Sequence, residues 1–550
     1  MISGGSEMKT YNAADYGIQP GNEVGKELNS LLRKMRKQGG EKRIVFPDGI
    51  YFINAETCPV EKLYITNTIP EREYKPGEEK HMQAVAFDIR DTCNLTLSGT
   101  GATFVTRGKL TNAIIVNSRN ITFEGMEITA ENPDEHELTV EKVGDGYADF
   151  RLDSSSKYIK RNGRFYFVGH DYETSFLFNV RRGWYFGKIS GGNTDRIVRS
   201  PHPFRGYRSI SELGPGLFRV KFDSAEHINK GDRYCLYDCR RTHVGIFMEG
   251  SENIVLKDIR QRHNVSLALV AQNTENITVE GVDFIPDGDG DKMFASYADF
   301  MQFCMCRGKV SVTGSRFIGA GDDVMNVHGT HLMVKSVRGK TLSLRFMHPD
   351  SYGYLPFNEG DFIEFINPDT LIPQGRAKVV SARLISKHTV ELKIDDASAA
   401  EKGLAVENVS LCPEVYFADN YMSRVVTRGL LITTRGKVLI ENNHFNNMIM
   451  PSVLCSDDAR TWYESGLCTD VTVRGNTFSG GDFPYIQVLP ENSPYTNPVH
   501  GKITIENNIF EGNNGVDIQR CERLIFRGNK TPVPAKEYVV LTDVVKANFR

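Results

Sequence analysis

The chain has 550 residues, 25% of them charged and 40% hydrophobic, with a formal net charge of −3. Near-neutrality over this length excludes the basic surface that nucleic-acid binding requires, and no run reaches the roughly 18 apolar residues of a membrane-spanning helix. Ten cysteines without a C-x-x-C pair read as buried thiols, not as a disulfide scaffold or metal site, and point to a reducing compartment.

The opening Met1–Lys9 lacks the apolar core of a signal peptide. Read as an added leader ahead of a native Met8, it leaves room for a natural signal to have been removed. The expected location is the cytoplasm, or the periplasm or exterior if a signal peptide was trimmed. Leu28, Leu31, Leu32 and Met35 follow at helical spacing in a basic stretch that ends at Gly39-Gly40. Such a helix suits a cap on an open sheet end.

A repeat then begins. Asn94-Leu95-Thr96-Leu97, Asn120-Ile121-Thr122-Phe123, Asn253-Ile254-Val255-Leu256 and Asn276-Ile277-Thr278-Val279 share one alternating pattern. It returns at Lys309-Val310, Lys437-Val438, Asp470-Val471, Lys502-Ile503 and Arg523-Leu524. Several units close on a turn and an apolar residue, as at Phe317, Phe445, Phe478 and Phe510. Gly and Asn at those turns tolerate the left-handed backbone of a sharp corner. Sandwich hairpins recur every 8–12 residues or so; the shorter intervals here, such as 26 from Asn94 to Asn120 and 23 from Asn253 to Asn276, are those of a solenoid.

Two intervals, 133 residues from Asn120 to Asn253 and 128 from Lys309 to Lys437, are too long for one coil. Both are dense in β-branched and aromatic residues, and they share the phrases Lys230-Gly231-Asp232-Arg233-Tyr234 and Glu359-Gly360-Asp361-Phe362-Ile363. Each reads as a small inserted β-barrel. The expected fold is therefore all-β: a right-handed parallel β-helix with two inserted β-barrel modules and an N-terminal capping helix. The expected divisions are 1–132 for the cap and first coils, 133–240 for the first insertion, 241–330 for the central coils, 331–412 for the second insertion and 413–550 for the C-terminal coils.

Within the central coils Asp299 precedes Asp322-Asp323 by 23 positions, one turn of the repeat. Adjacent coils lie about 4.8 Å apart, so three carboxylates meet on one face. Crowded carboxylates split their pKa values, one keeping a proton while its neighbour ionises, and an acid paired with a base is what glycosidic cleavage needs. Asp322 and Asp323 can both face one cleft only if the chain bends, which Gly319 and Gly321 permit. Asp322-Asp323 could otherwise be a plain turn, although nothing structural calls for stacked like charges.

Asp299-Phe300-Met301-Gln302-Phe303, Cys306-Arg307-Gly308-Lys309 and Asp322-Asp323-Val324-Met325-Asn326-Val327-His328-Gly329-Thr330 resemble the catalytic region of glycoside hydrolase family 110, the inverting α-1,3-galactosidases. Arg428-Gly429-Leu430-Leu431-Ile432-Thr433-Thr434-Arg435 and Trp462-Tyr463-Glu464-Ser465-Gly466 resemble it too, and the similarity runs the length of the chain. It implies an exo-acting enzyme removing terminal α-1,3-linked galactose, as on blood-group-B-type or linear Gal-α-1,3-Gal glycans. It also implies Asp322 as general acid, with Asp299 and Asp323 orienting and deprotonating water.

Around them the expected substrate-binding residues are His263, Asn264, Gln302, Asn326, His328, Arg428, Trp462 and Glu464. His328 could equally be a core histidine, Trp462 simple packing, and Arg428 with Glu464 an ordinary ion pair. Asp287-Gly288-Asp289-Gly290-Asp291 fails as a calcium loop, because an EF-hand wants Gly sixth and Glu twelfth where Lys292 and Ala298 stand; it reads as a polar turn. The reaction calls for no metal and no cofactor. The expected partner is a glycan with non-reducing terminal α-galactose, and a homodimer is allowed. An endo-acting polygalacturonase-like hydrolase, a polysaccharide lyase and a non-catalytic glycan-binding solenoid are the competing readings.

Overall fold

The computed structural model describes residues 8–68, 70, 79–132, 135–169, 173–176, 184–192, 194–238, 241–264, 266–290 and 292–550. Met1–Glu7, Cys239 and Asp291, which enter the sequence reading, lie outside them. The chain winds into a β-helix with two faces of thirteen strands and one of ten. The pairs are parallel except where Val60–Lys62 meets Met82–Ala84 and where Glu464–Ser465 meets Gly329–Thr330. Among the described residues no helix is long and apolar enough to cross a membrane, and the nine described cysteines are free thiols.

Every repeat unit read from the sequence lies on the first face, as in Cys93–Ser98, Arg119–Glu124, Glu252–Lys257 and Glu275–Glu280. Alternation puts one row of side chains into the solenoid: Ile254 and Leu256 are fully buried while Val255 between them is not. One coil escapes the pattern. Glu414–Ala418 pairs with Arg307–Thr313 on one side and Val438–Glu441 on the other, and Glu414 stands at the position that Asn276 holds two coils earlier. The second long interval is thus one coil shorter than the spacing from Lys309 to Lys437 implied.

Asparagine builds the corners. Asn94, Asn120, Asn253 and Asn276 hold φ near +55°, and their side-chain amides bond in series at 2.7, 3.0 and 3.1 Å. A second, buried ladder runs Asn420, Asn443, Asn476, Asn508, Asn529, each Nδ2 donating to the next Oδ1 at 2.9–3.0 Å. Asn476 Oδ1 also accepts from the Asn443 amide at 2.9 Å, and its Nδ2 reaches the Ile440 carbonyl at 3.0 Å. Asn476→Ala strands several buried groups, each worth about 1–3 kcal/mol unpaired. The expected result is a fall in unfolding temperature equivalent to about 3 kcal/mol, read by calorimetry; an unchanged melting curve would mean water repairs the gap. Beside this ladder Phe445, Phe478 and Phe510 stack face to face, with centroids 4.9 and 5.0 Å apart.

The helix Gly25–Arg36 forms where the apolar spacing predicts it and buries Leu28, Leu31, Leu32 and Met35. Asn29 imitates a strand: its Nδ2 donates to the Ala86 carbonyl at 2.9 Å and its Oδ1 accepts from the Asp88 amide at 3.1 Å. The helix thereby satisfies backbone groups at the edge of the third face.

The second insertion is a closed six-stranded barrel from Leu332–Arg338 to Ala405–Asn408. The first differs from the expected barrel. Among the described residues it is a seven-stranded antiparallel sheet, centred on Glu135–Gly144 and Arg233–Asp238, with a separate three-stranded sheet beside it. Its core is aromatic, Phe150, Phe165, Phe167, Phe176, Phe204 and Phe218 packing together, so a layered arrangement buries what closure would otherwise bury. The shared phrase marks the same turn in both modules. Asp232 Oδ2 accepts from the Asn229 amide at 3.0 Å and Asp361 Oδ2 from the Asn358 amide at 2.7 Å, with Gly231 and Gly360 at φ 86° and 91°.

Candidate active site

The site lies on the third face, where Met301–Cys304 pairs with Met325–Thr330. Met301 aligns with Met325, an offset of 24, so the coil here is one residue longer than the spacing from Asp299 to Asp322. Asp299 consequently stands opposite Asp323, whose amide donates to Asp299 Oδ1 at 3.0 Å. Asp322 is displaced by one residue toward the outside. The bend that brings both neighbours to one place depends on glycine: Gly319 has φ +82°, and a Cβ on Gly321 would stand 2.4 Å from the Tyr297 carbonyl oxygen.

One oxygen from each of Asp299, Asp322 and Asp323 lies within 4.8 Å of the others. Their exposures differ, with side chains 4%, 19% and 1% accessible. Arginines surround them. Arg428 donates to Asp323 Oδ1 from Nε at 2.9 Å and from its backbone amide at 3.1 Å. Arg241 Nη2 donates to Asp322 Oδ2 at 2.6 Å, and its Nη1 lies 3.8 Å from Asp299 Oδ2. Arg199 reaches Asp322 Oδ1 at 3.9 Å and the Gly321 carbonyl at 3.4 Å. Asn67 Nδ2 stands 3.5 Å from Asp299 Oδ2. Burial, and then the charge of Asp322, push the Asp299 carboxyl well above the usual carboxylate range against the pull of Arg241. Burial raises Asp323 too, with Arg428 opposing.

Gln302 aligns with Asn326 and Cys304 with His328 along the same face. Asn326 Nδ2 donates to Glu464 Oε1 at 3.1 Å, and His328 Nε2 lies 3.7 Å from that oxygen. Burial acts to lower the His328 pKa, but Glu464 and Cys304 outweigh it and bring it to about 10. Its Nδ1 donates to the Gly329 carbonyl at 2.7 Å, and its Nε2 lies 2.8 Å from Gln302 Nε2. Gln302 Oε1 is buried without a hydrogen-bond partner. His328 is therefore both buried and part of the site wall. Trp462 is 54% exposed and stacks on His348 with centroids 4.6 Å apart, so it is not core packing. Arg428 pairs with Asp323, not with Glu464.

His263 and Asn264 fall outside this constellation. His263 Nε2 bonds Asp287 Oδ2 at 2.8 Å, and its Nδ1 faces Glu135 of the first insertion at 3.8 Å. Asn264 Nδ2 donates to the Ala295 carbonyl at 3.0 Å while its Oδ1 accepts from Gln261, which makes it a wall residue of the solenoid. The cause is register. Leu269 aligns with Met301, so Leu267 matches Asp299, and residues 263 and 264 lie further back, at the corner toward the insertion. Asp287–Gly290 forms a short helical turn, as a polar turn requires, and the Asp287 carboxylate is used on His263.

Sequence reading missed Asn67, Arg199, Arg241 and His348. None belongs to a coil unit, and Arg241 lies 81 residues from the Asp322 it bonds. No periodicity marks such residues.

Three coil-borne carboxylates, one reachable from solvent and two buried behind it among guanidiniums, define a glycoside hydrolase of the β-helix class. Residues 341–402 match the family described as GLAA-B beta-barrel domain II. α-1,3-Galactosidase A of Bacteroides thetaiotaomicron is 32% identical over 501 residues, covering 89% of this chain and 85% of that one. α-1,3-Galactosidase A of Streptomyces avermitilis is 31% identical over 529 residues, covering 90% and 83%. Among solved structures, a family 28 exopolygalacturonase from Yersinia enterocolitica aligns over 99% of this chain and 78% of its own at 12% identity, with a TM-score of 0.43. The chain belongs to the α-1,3-galactosidase family, glycoside hydrolase family 110.

Proposed function

We propose that this protein removes terminal α-1,3-linked galactose from the non-reducing end of blood-group-B-type or linear Gal-α-1,3-Gal glycans by a single displacement with inversion. The observation that carries the reading is the unequal exposure of the trio. Asp322, the accessible carboxyl, is placed to protonate the departing oxygen. Asp299 and Asp323 lie behind it and hold the attacking water. Burial, and then the charge of Asp322, raise the Asp299 carboxyl well above the usual carboxylate range, and one oxygen of each lies within 4.8 Å of the other. Gln302, Asn326, Glu464 and the exposed ring of Trp462 are the groups we assign to sugar hydroxyls and the apolar sugar face.

The spacing favours a second course. Retaining enzymes hold their carboxyls about 5–5.5 Å apart and inverting ones about 6.5–9.5 Å, and the nearest oxygens here are within 4.8 Å. A covalent nucleophile, however, must reach the anomeric carbon. Asp299 and Asp323 are almost wholly buried, and Asp323 Oδ1 is already held twice by Arg428; a small water reaches them more readily than a sugar ring. Proton NMR of Gal-α-1,3-Gal in the first minutes of reaction is expected to show β-galactose before mutarotation, with the α-1,4 and α-1,6 isomers left intact. α-Galactose appearing first would replace inversion by a double displacement, and equal turnover of all three isomers would refute the linkage.

A further inference from the structure

We propose that the seam between the first inserted module and the solenoid is a binding site for a zinc-class divalent cation, ligated by Glu135, Cys235 and His263 with Glu137 completing the set. Glu135 and Cys235 sit on neighbouring strands of the module, paired in register with Glu137 opposite Cys235; His263 comes from the solenoid corner described above. One ligand atom each from Glu135, Glu137 and Cys235 lies within 4.8 Å of the others. Cys235 Sγ is 3.8 Å from Glu135 Oε2, and His263 Nδ1 is 3.8 Å from Glu135 Oε1. Around a tetrahedral zinc with bonds of about 2.0–2.3 Å, ligand atoms stand roughly 3.3–3.8 Å apart; Glu135, Glu137 and Cys235 are near that spacing, and the His263 ring, which faces Glu135 alone, must turn toward Cys235 to join them.

Two independent observations point to a ligand here. Glu135 is fully buried, and its Oε1 has no hydrogen-bond partner, a costly arrangement for a carboxylate. Lys292 Nζ bonds elsewhere, to Asp153 Oδ1 at 2.6 Å and Ser155 Oγ at 2.9 Å. Second, the other nitrogen of His263 is already fixed by the Asp287 carboxylate, the outer-shell contact that orients metal-bound histidines. Glu137 is shared with Arg233 at 2.6 Å and the Met293 amide at 2.7 Å, so it is the weakest of the four. A pocket of about 620 Å³ lined by Glu137, Asp287, Lys292, Arg151 and Arg233 opens beside the cluster, with Glu137 the one proposed ligand on its wall. Thiolate and imidazole donors select zinc over calcium or magnesium. No motif announces the set, since its members are 100 and 28 residues apart in the chain.

The test uses the full chain, stripped of metal and titrated with Co²⁺ as a spectroscopic stand-in for Zn²⁺. One equivalent is expected to bind with a near-ultraviolet thiolate-to-cobalt charge-transfer band, and Zn²⁺ is expected to displace it and raise the unfolding temperature. Cys235→Ser should abolish the band, and Asp287→Asn should keep it while weakening binding by about 10–100-fold. No band in the wild-type chain would overturn the proposal and leave the seam a network of ion pairs. So would a band that survives Cys235→Ser, since another thiol would then supply it. Should Cys235→Ser fail to fold, an unchanged affinity in Asp287→Asn would be equally decisive against it.

Discussion

Asp322→Asn is expected to lower kcat on Gal-α-1,3-Gal by about 10²–10⁴-fold, the usual worth of general acid catalysis, while the fold stays intact. The substitution keeps the planar shape and the contact with Arg241 through its remaining oxygen, but removes the transferable proton. Because only the departing group needs that proton, aryl galactosides with good leaving groups should recover most of the rate. The comparison separates the acid from every other role: a uniform loss on both substrate types would mean that Asp322 positions the sugar instead, and a wild-type rate on the disaccharide would remove it from the chemistry.

Asp299→Asn and Asp323→Asn are expected to lose as much or more, with no recovery on activated substrates, since a better leaving group does nothing for the attacking water. Asp299 adds a second, oppositely signed effect. Burial, and then the charge of Asp322, raise its carboxyl, so its folded pKa lies above its unfolded one, near 3.9. Stability is then complete below about pH 4 and is lost as pH rises toward the folded pKa. Asn carries no such penalty and still accepts from the Asp323 amide. The inactive variant should melt higher than wild type at pH 7, with the gain shrinking to nothing near pH 4. A variant that melts lower throughout would show that the carboxylate is stabilising and that Arg241 outweighs burial.

The solenoid was legible because its information is local. A period-two strand, a corner Asn or Gly with positive φ and an inward Phe lie close together in the chain, and several coils repeat them. Glu414–Ala418, which resumes the winding directly after the second insertion, was missed because Glu414 carries no corner signal while the strand remains. The aspartate trio was legible for the same reason, since stacking converts a sequence offset into a distance, and the error of one residue between 23 and 24 only exchanged which aspartate faces Asp299. What could not be read is what crosses between a coil and an insertion. Arg199 and Arg241 reach the trio from the first module and its exit, and His263, credited to the site by its coil position, is turned toward that module. The sheet order of the insertion is long-range as well, so a shared turn phrase could indicate kinship with the second module but not closure.

Ile254 pairs with Ile121 in the same register as with Ile277, although more than a hundred residues intervene on one side and a single coil on the other. Each insertion leaves the winding at a corner and rejoins it there without adding or removing a turn. Lineages can therefore lengthen, exchange or reshape these excursions while the aspartates keep their coordinates, and preference for one glycan over another becomes heritable separately from the ability to cleave.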